Sequence, residues 1–250
     1  MGMRILLVGD THGSSSWWPN AVAPKARETG ADIVMQLGDF GYWPTSQRFL
    51  DAVAATGVPV WFLDGNHEHF PHLWDGLDEA RALAEPVEVA ENLTYLPRGA
   101  RLEFEDVKFA VLGGAHSIDR RLRTSRVDWF SEEAVTDFDL DLVLDGPVAD
   151  IMLSHDAPVS APVPLMDDEF LASAWLAERP ACHAHRLRIE TAFRHLQPAL
   201  VAHGHYHVRY DRTTEQPWGT TRFLGLSHNG TGAGAFALLT CEDGEWRITP

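Results

Sequence analysis

Short apolar runs, each closed by glycine or a polar turn, punctuate the chain. Arg4–Gly9, Asp32–Leu37 and Val58–Leu63 are near-continuous rather than alternating, the pattern of strands buried on both faces. Trp17–Thr29, between the first two, predicts a helix closed by Gly30. Buried strands separated by helical stretches predict a parallel sheet with crossover helices. Arg101–Phe104 and Val107–Leu112 flank Glu105-Asp106 and predict a hairpin ending at Gly113-Gly114. Ser131 offers an N-cap to a short acidic helix over Glu132–Asp137, and Asp150–Ser154 predicts another strand. A loop with Pro158, Pro162 and Pro164 leads to helices near Phe170–Ala177 and Ala184–Leu196. Ala199–Ala202, Thr221–Gly225, Ala235–Thr240 and Glu245–Ile248 predict the late strands. The mixture of βαβ units and hairpins predicts an α/β (α+β) protein. It would be one domain over residues 1–250, with two sheets of mixed parallel and antiparallel strands and outer helices.

Composition narrows the partners. The chain has 250 residues, 45% hydrophobic and 22% charged, ordinary values for a globular protein with a sizeable core. Its formal charge of −16, from 36 acidic and 20 basic residues, argues against duplex nucleic acid and against an anionic membrane. A small anionic substrate stays compatible with it, because bound divalent cations reverse the local field. Cys182 and Cys241 are far apart and form no CxxC pair, which fits a reducing cytoplasm better than a disulfide framework. The apolar run Ile5–Val8 is too short for a signal-peptide core or a membrane span. A soluble cytoplasmic protein is the expectation.

The candidate chemistry follows the predicted strands. Gly-Asp10-Thr-His12 succeeds the first, Gly-Asp39 the second, and Asp-Gly-Asn66-His67-Glu68 the third. Ser-His155-Asp156 follows Ile151–Leu153, and Ala-His203-Gly-His205-Tyr-His207 follows Leu200–Val201. Singly, such fragments are turn formers, helix caps or polar strand ends. Loops at the carboxyl ends of α/β strands, however, line one ligand crevice. Five of them carrying Asp, Asn or His can converge on a metal.

This ordered set resembles the calcineurin-like metallophosphoesterase family, over residues 10 to 207. The resemblance implies a two-sheet αββα sandwich and a metal-dependent phosphoric ester hydrolase. It implies one divalent metal held by Asp10, His12 and His207, a second held by Asn66, His155 and His205, and Asp39 bridging the two. It further implies attack on phosphorus by a metal-bridging hydroxide, with His67 protonating the leaving oxygen. Imidazole and carboxylate donors without thiolate suit Mn, Fe, Zn, Co or Ni. His203 then serves to support the site or pack the strand.

One segment departs from the family's protein-phosphatase branch. In Gly38-Asp-Phe-Gly-Tyr42-Trp43, Tyr42 and Trp43 stand where that branch has an Asp that orients the acid histidine and an Arg. Glu68 or Asp64 could substitute in orienting His67, which the sequence does not show, and the missing Arg removes a phosphate clamp. Small phosphoesters, with phosphodiesters ahead of phosphoproteins, are the expected substrates. The alternatives are a nuclease of the same superfamily acting on short oligonucleotides and a catalytically silent metal-binding scaffold. A metallo-β-lactamase-like hydrolase fits poorly, because the histidine run lies too near the C-terminal end and no Asp-His pair follows it.

The remaining candidates have ordinary readings. His69 and His72 fall to a loop or helix start, His183, His185 and His195 to a helix without visible carboxylate partners, and His228 to a turn. The segment from Gly113 to Arg121 can reach the rim, where Arg120 or Arg121 could meet phosphate. Trp17, Trp18, Tyr42 and Trp43 either wall a pocket or pack the core.

Overall fold

The computed structural model describes residues 2–164 and 169–249. Two sheets face each other. The first contains β1 (Met3–Val8), β2 (Ile33–Leu37), β3 (Val60–Leu63), β4 (Val87–Ala90), β5 (Leu93–Tyr95), β12 (Phe236–Glu242) and β13 (Glu245–Thr249), in the order β13-β12-β1-β2-β3-β5-β4. The second contains β6 (Arg101–Phe104), β7 (Val107–Leu112), β8 (Ile151–Ser154), β9 (Leu200–His203), β10 (Tyr210–Gln216) and β11 (Gly219–Gly225), in the order β10-β11-β9-β8-β7-β6. The centre of each sheet is parallel, and antiparallel strands close the edges.

Strand alternation explains why the central runs are apolar throughout. Ile5, Leu7, Ile33, Met35 and Leu37 meet Phe109, Val111, Ile151, Leu153 and Leu200 between the sheets. Their neighbours Leu6, Val8, Val34 and Phe62 turn outward, onto a layer with Trp18, Val22, Phe49 and Val53. That layer comprises a π-helical turn (Trp18–Val22), α1 (Ala23–Thr29) and α2 (Gln47–Ala54). Two short helices, α3 (Phe70–Leu73) and α4 (Asp78–Ala82), lead from β3 to β4. On the far side, Ala110, Leu112, Met152 and Val201 pack with Val143 of α5 (Asp137–Leu144) and with Ile189, Phe193 and Leu196 of α6 (Glu169–Leu196). Both faces of each sheet are therefore covered, giving the expected four-layer sandwich. No helix among the described residues is long and apolar enough to cross a membrane.

Two expectations change. The predicted helices near Phe170–Ala177 and Ala184–Leu196 are one 28-residue helix, continuous through Pro180. Contacts on both sides of the proline hold it, through Glu178 to His116 and Arg121, and through His185 to Asp156. Tertiary anchoring thus outweighs the hydrogen bond that proline removes. The acidic helix starts at Asp137 rather than beside Ser131, whose segment Ser131–Glu133 makes only a 3₁₀ turn. Thr136 and Asp139 form the capping box: Asp139 N donates to Thr136 Oγ1 at 3.2 Å, and Thr136 N donates to Asp139 Oδ2 at 2.8 Å.

Candidate metal centre

The candidate ligands emerge from the carboxyl ends of β1, β2, β3 and β8 and from the loop after β9, on adjacent parallel strands of the two sheets. They converge in two clusters. Asp10, His12, Asp39 and His207 place donor atoms within 4.8 Å of one another, and so do Asp39, His155 and His205. Asp39 belongs to both. In the first cluster, His207 Nε2 lies 3.1 Å from Asp10 Oδ2 and 3.2 Å from His12 Nε2. In the second, His155 Nε2 lies 3.2 Å from Asp39 Oδ1 and 3.2 Å from Asn66 Oδ1. All seven residues predicted as metal ligands are thus brought together.

The backbone bends hard to achieve this. His12, Asp39, His205 and His207 have φ of 46°, 53°, 68° and 55°, the left-handed region that costs a non-glycine residue roughly 1 kcal/mol or more. Close approach demands glycine beside them. A Cβ on Gly65 would lie 2.2 Å from Asp39 Oδ1, and one on Gly204 would lie 2.1 Å from Asp10 Oδ1.

The donor chemistry fits divalent cations. His155 Nδ1 donates to the Leu37 carbonyl at 2.8 Å, so its Nε2 lone pair is turned toward the oxygens of Asp39 and Asn66. Three acceptors converge there, and only a proton or a cation can hold them together. For the protein alone a proton serves. Burial pushes the His155 pKa down, but the Asp39 carboxylate overcomes it and lifts the value to about 10. Burial likewise works to raise Asp39, yet His155, His67 and His12 hold its carboxyl well below the usual range.

His67 lies at the edge of this centre, its ring 5.1 Å from that of His12 and perpendicular to it. Its backbone N donates to Asp39 Oδ1 at 2.8 Å. Burial lowers its pKa; Asp39 opposes the shift and Arg123 adds to it. Neither candidate carboxylate orients the ring. Glu68 is occupied by the backbone N–H groups of Phe40, Gly41 and Tyr42, at 2.6, 2.9 and 2.7 Å. Asp64 accepts from Tyr95 Oη at 2.7 Å and pairs with Arg98 at 2.6 Å. Tyr42 Oη points away to the Val89 carbonyl. The ring's polar neighbour is Arg123, whose Nη2 contacts it.

Arg123 is the functional candidate that sequence reasoning missed in favour of Arg120 and Arg121. Those two turn outward, Arg120 over the Trp129 ring and Arg121 onto Glu178. His228 also belongs nearer the site than a turn suggests, stacking on His207 with centroids 4.4 Å apart. His203 stays out of both clusters. It is buried, its Nε2 lies 2.6 Å from Tyr210 Oη, and burial holds its pKa down at about 4. His185 does have a carboxylate partner, since Asp156 comes within 2.7 Å of its Nδ1. Trp18 is core, donating to Thr56 Oγ1, whereas Trp43 Nε1 donates to the His67 carbonyl and stands next to the site.

Comparison with known proteins gives the family and the fold. The family model of calcineurin-like phosphoesterases matches residues 3–209, and the chain belongs to that family. The family generally binds divalent metals and hydrolyses phosphoesters. The fold matches the protein TT1561 of Thermus thermophilus with a TM-score of 0.57 at 13% identity, over 100% of this chain and 99% of that one. A Mycoplasma pneumoniae phosphatase gives 0.48 at 14% identity, over 100% and 93% of the two chains. An archaeal phosphodiesterase gives 0.46 at 14%, over 99% of each. None of the curated proteins matches the sequence at a significant level.

Proposed function

We propose that the protein is a two-metal phosphoesterase for small phosphoesters, with phosphodiesters ahead of phosphoproteins. The observation that carries this reading is the sharing of Asp39 between two donor clusters, since a bridging carboxylate can serve two cations at once. Asp10, His12 and His207 would hold one ion, and Asn66, His155 and His205 the other, drawn from Mn, Fe, Zn, Co or Ni. Bound there, the ions supply Lewis-acid neutralisation of phosphoryl charge and lower the pKa of water.

The chain's own residues do the rest. Leu37 fixes the tautomer of His155, and His205 N donates to Asp10 Oδ2 at 3.1 Å, locking the carboxylate's orientation. His67 stands at the open edge and passes its ring proton to the leaving oxygen. The charge of −16 supports a small substrate over duplex nucleic acid. Two buried free thiols fit a protein working in the cytoplasm.

Elemental analysis should find about two divalent ions per chain. The Mn-supplemented protein should hydrolyse bis(p-nitrophenyl) phosphate faster than a phosphopeptide. A metal-replete His207→Ala variant with undiminished activity refutes the assignment.

A further inference from the structure

The segment from Asp119 to Phe130 lies beside His67 and carries Arg120, Arg121, Arg123 and Arg126, four of the 20 basic residues in this acidic chain. Arg120, Arg121 and Arg126 are exposed. Arg123 differs, for its side chain is only 8% exposed and its guanidinium turns inward. Nε lies 3.2 Å from Asp119 Oδ2. Nη1 donates to Ser117 Oγ at 3.0 Å and to the Asn66 carbonyl at 3.3 Å, and lies 3.7 Å from Glu133. Nη2 reaches the His67 ring.

A guanidinium has five N–H groups. Asp119 lies against Nε as an ion pair, and Ser117 and the Asn66 carbonyl accept from Nη1. Nη2 faces the His67 ring and donates to no oxygen among the described residues. Asn66 is also the residue whose side-chain oxygen meets His155 Nε2, so one residue ties the guanidinium to the second donor cluster. Asp119 and Glu133 compensate the buried charge and hold the fork rigid. A guanidinium held at Nε and Nη1, with Nη2 turned to His67 beside two clusters of metal-ligating groups, is suited to an oxyanion.

We propose that Arg123 is a catalytic residue that donates from Nη2 to a non-bridging oxygen of the scissile phosphoryl group. This rests on the phosphoesterase reading. It assigns a substrate contact on the same edge as His67, so Arg123 and His67 would flank one phosphoryl group.

The test is calorimetric titration of inorganic phosphate into the Mn-loaded protein, for wild type, Arg123→Lys and Arg123→Ala, with bound Mn measured in each. Loss of one charge-assisted hydrogen bond should weaken phosphate by ~10- to 100-fold in Arg123→Ala, with Mn content unchanged. Arg123→Lys should recover part of the affinity, and kcat/KM for bis(p-nitrophenyl) phosphate should fall in parallel. Wild-type phosphate affinity in both variants overturns the proposal, even if kcat falls, because Arg123 would then only position His67. A loss of phosphate binding that tracks loss of Mn overturns it too, by showing a structural role. If the Mn-loaded wild type neither binds phosphate nor cleaves the diester, the phosphoesterase reading itself fails and this assignment with it.

Discussion

The two donor clusters share Asp39 and differ in almost everything else. In one, His12 and His207 are 26% and 43% exposed, both on left-handed backbone. In the other, His155 is fully buried, and it and Asn66 are held by hydrogen bonds. Its Nδ1 is tied to Leu37, and Asn66 Nδ2 donates to Ser117 Oγ, which in turn donates to Glu133 at 2.6 Å. Tyr206, next to His205, donates to Asp156, next to His155, and α6 adds His185 to the same carboxylate. Left-handed backbone occurs in both, since His205 has φ 68°, so what separates them is that the buried cluster is preorganised by hydrogen bonds and the open one is exposed. The open cluster should exchange its metal first.

The largest effect should separate the clusters outright. His155→Ala should cut kcat/KM by on the order of 10³-fold. After dialysis it should retain less metal than His207→Ala, and equal retention would erase the comparison. A smaller effect should come from overpacking the buried side. Gly65→Ala forces a methyl group against Asp39 and should destabilise the chelator-treated protein by ~1–3 kcal/mol in urea unfolding. An unchanged midpoint would mean that the loop shifts freely and is not preorganised. The smallest effect is Tyr206→Phe, which removes one hydrogen bond to Asp156 worth ~1 kcal/mol. It should weaken only the tighter of two calorimetric metal transitions, by ~5-fold. Equal weakening of both transitions would show that the bracing serves the whole centre.

How much was legible in the sequence varied with burial. The central strands stood out because both faces are covered, so each became an uninterrupted apolar run. β10, with the sequence YDRTTEQ on a sheet edge, carries no such run and went unpredicted. α6 appeared as two helices because proline is a local signal, while the contacts that keep it continuous come from residues distant in the chain. The metal-ligand candidates were readable because parallel strands deliver their carboxyl ends to one edge. Arg123 was not separable from Arg120 and Arg121. The turn Arg120–Leu122 decides which guanidinium faces inward, and only the partners Asp119, Ser117 and Asn66 reveal it.

By itself the sequence determined the layered α/β architecture, the family, and a set of Asp, Asn and His candidates at strand ends. The architecture and the candidates follow from periodicity and residue chemistry, which are local, and the family from the resemblance of the ordered motifs. The tertiary structure decided which cluster is buried and which open, what braces each ligand, and what stands beside His67. These are settled by contacts between residues far apart in the chain, such as Arg123 with His67 and His185 with Asp156, and no local pattern encodes them.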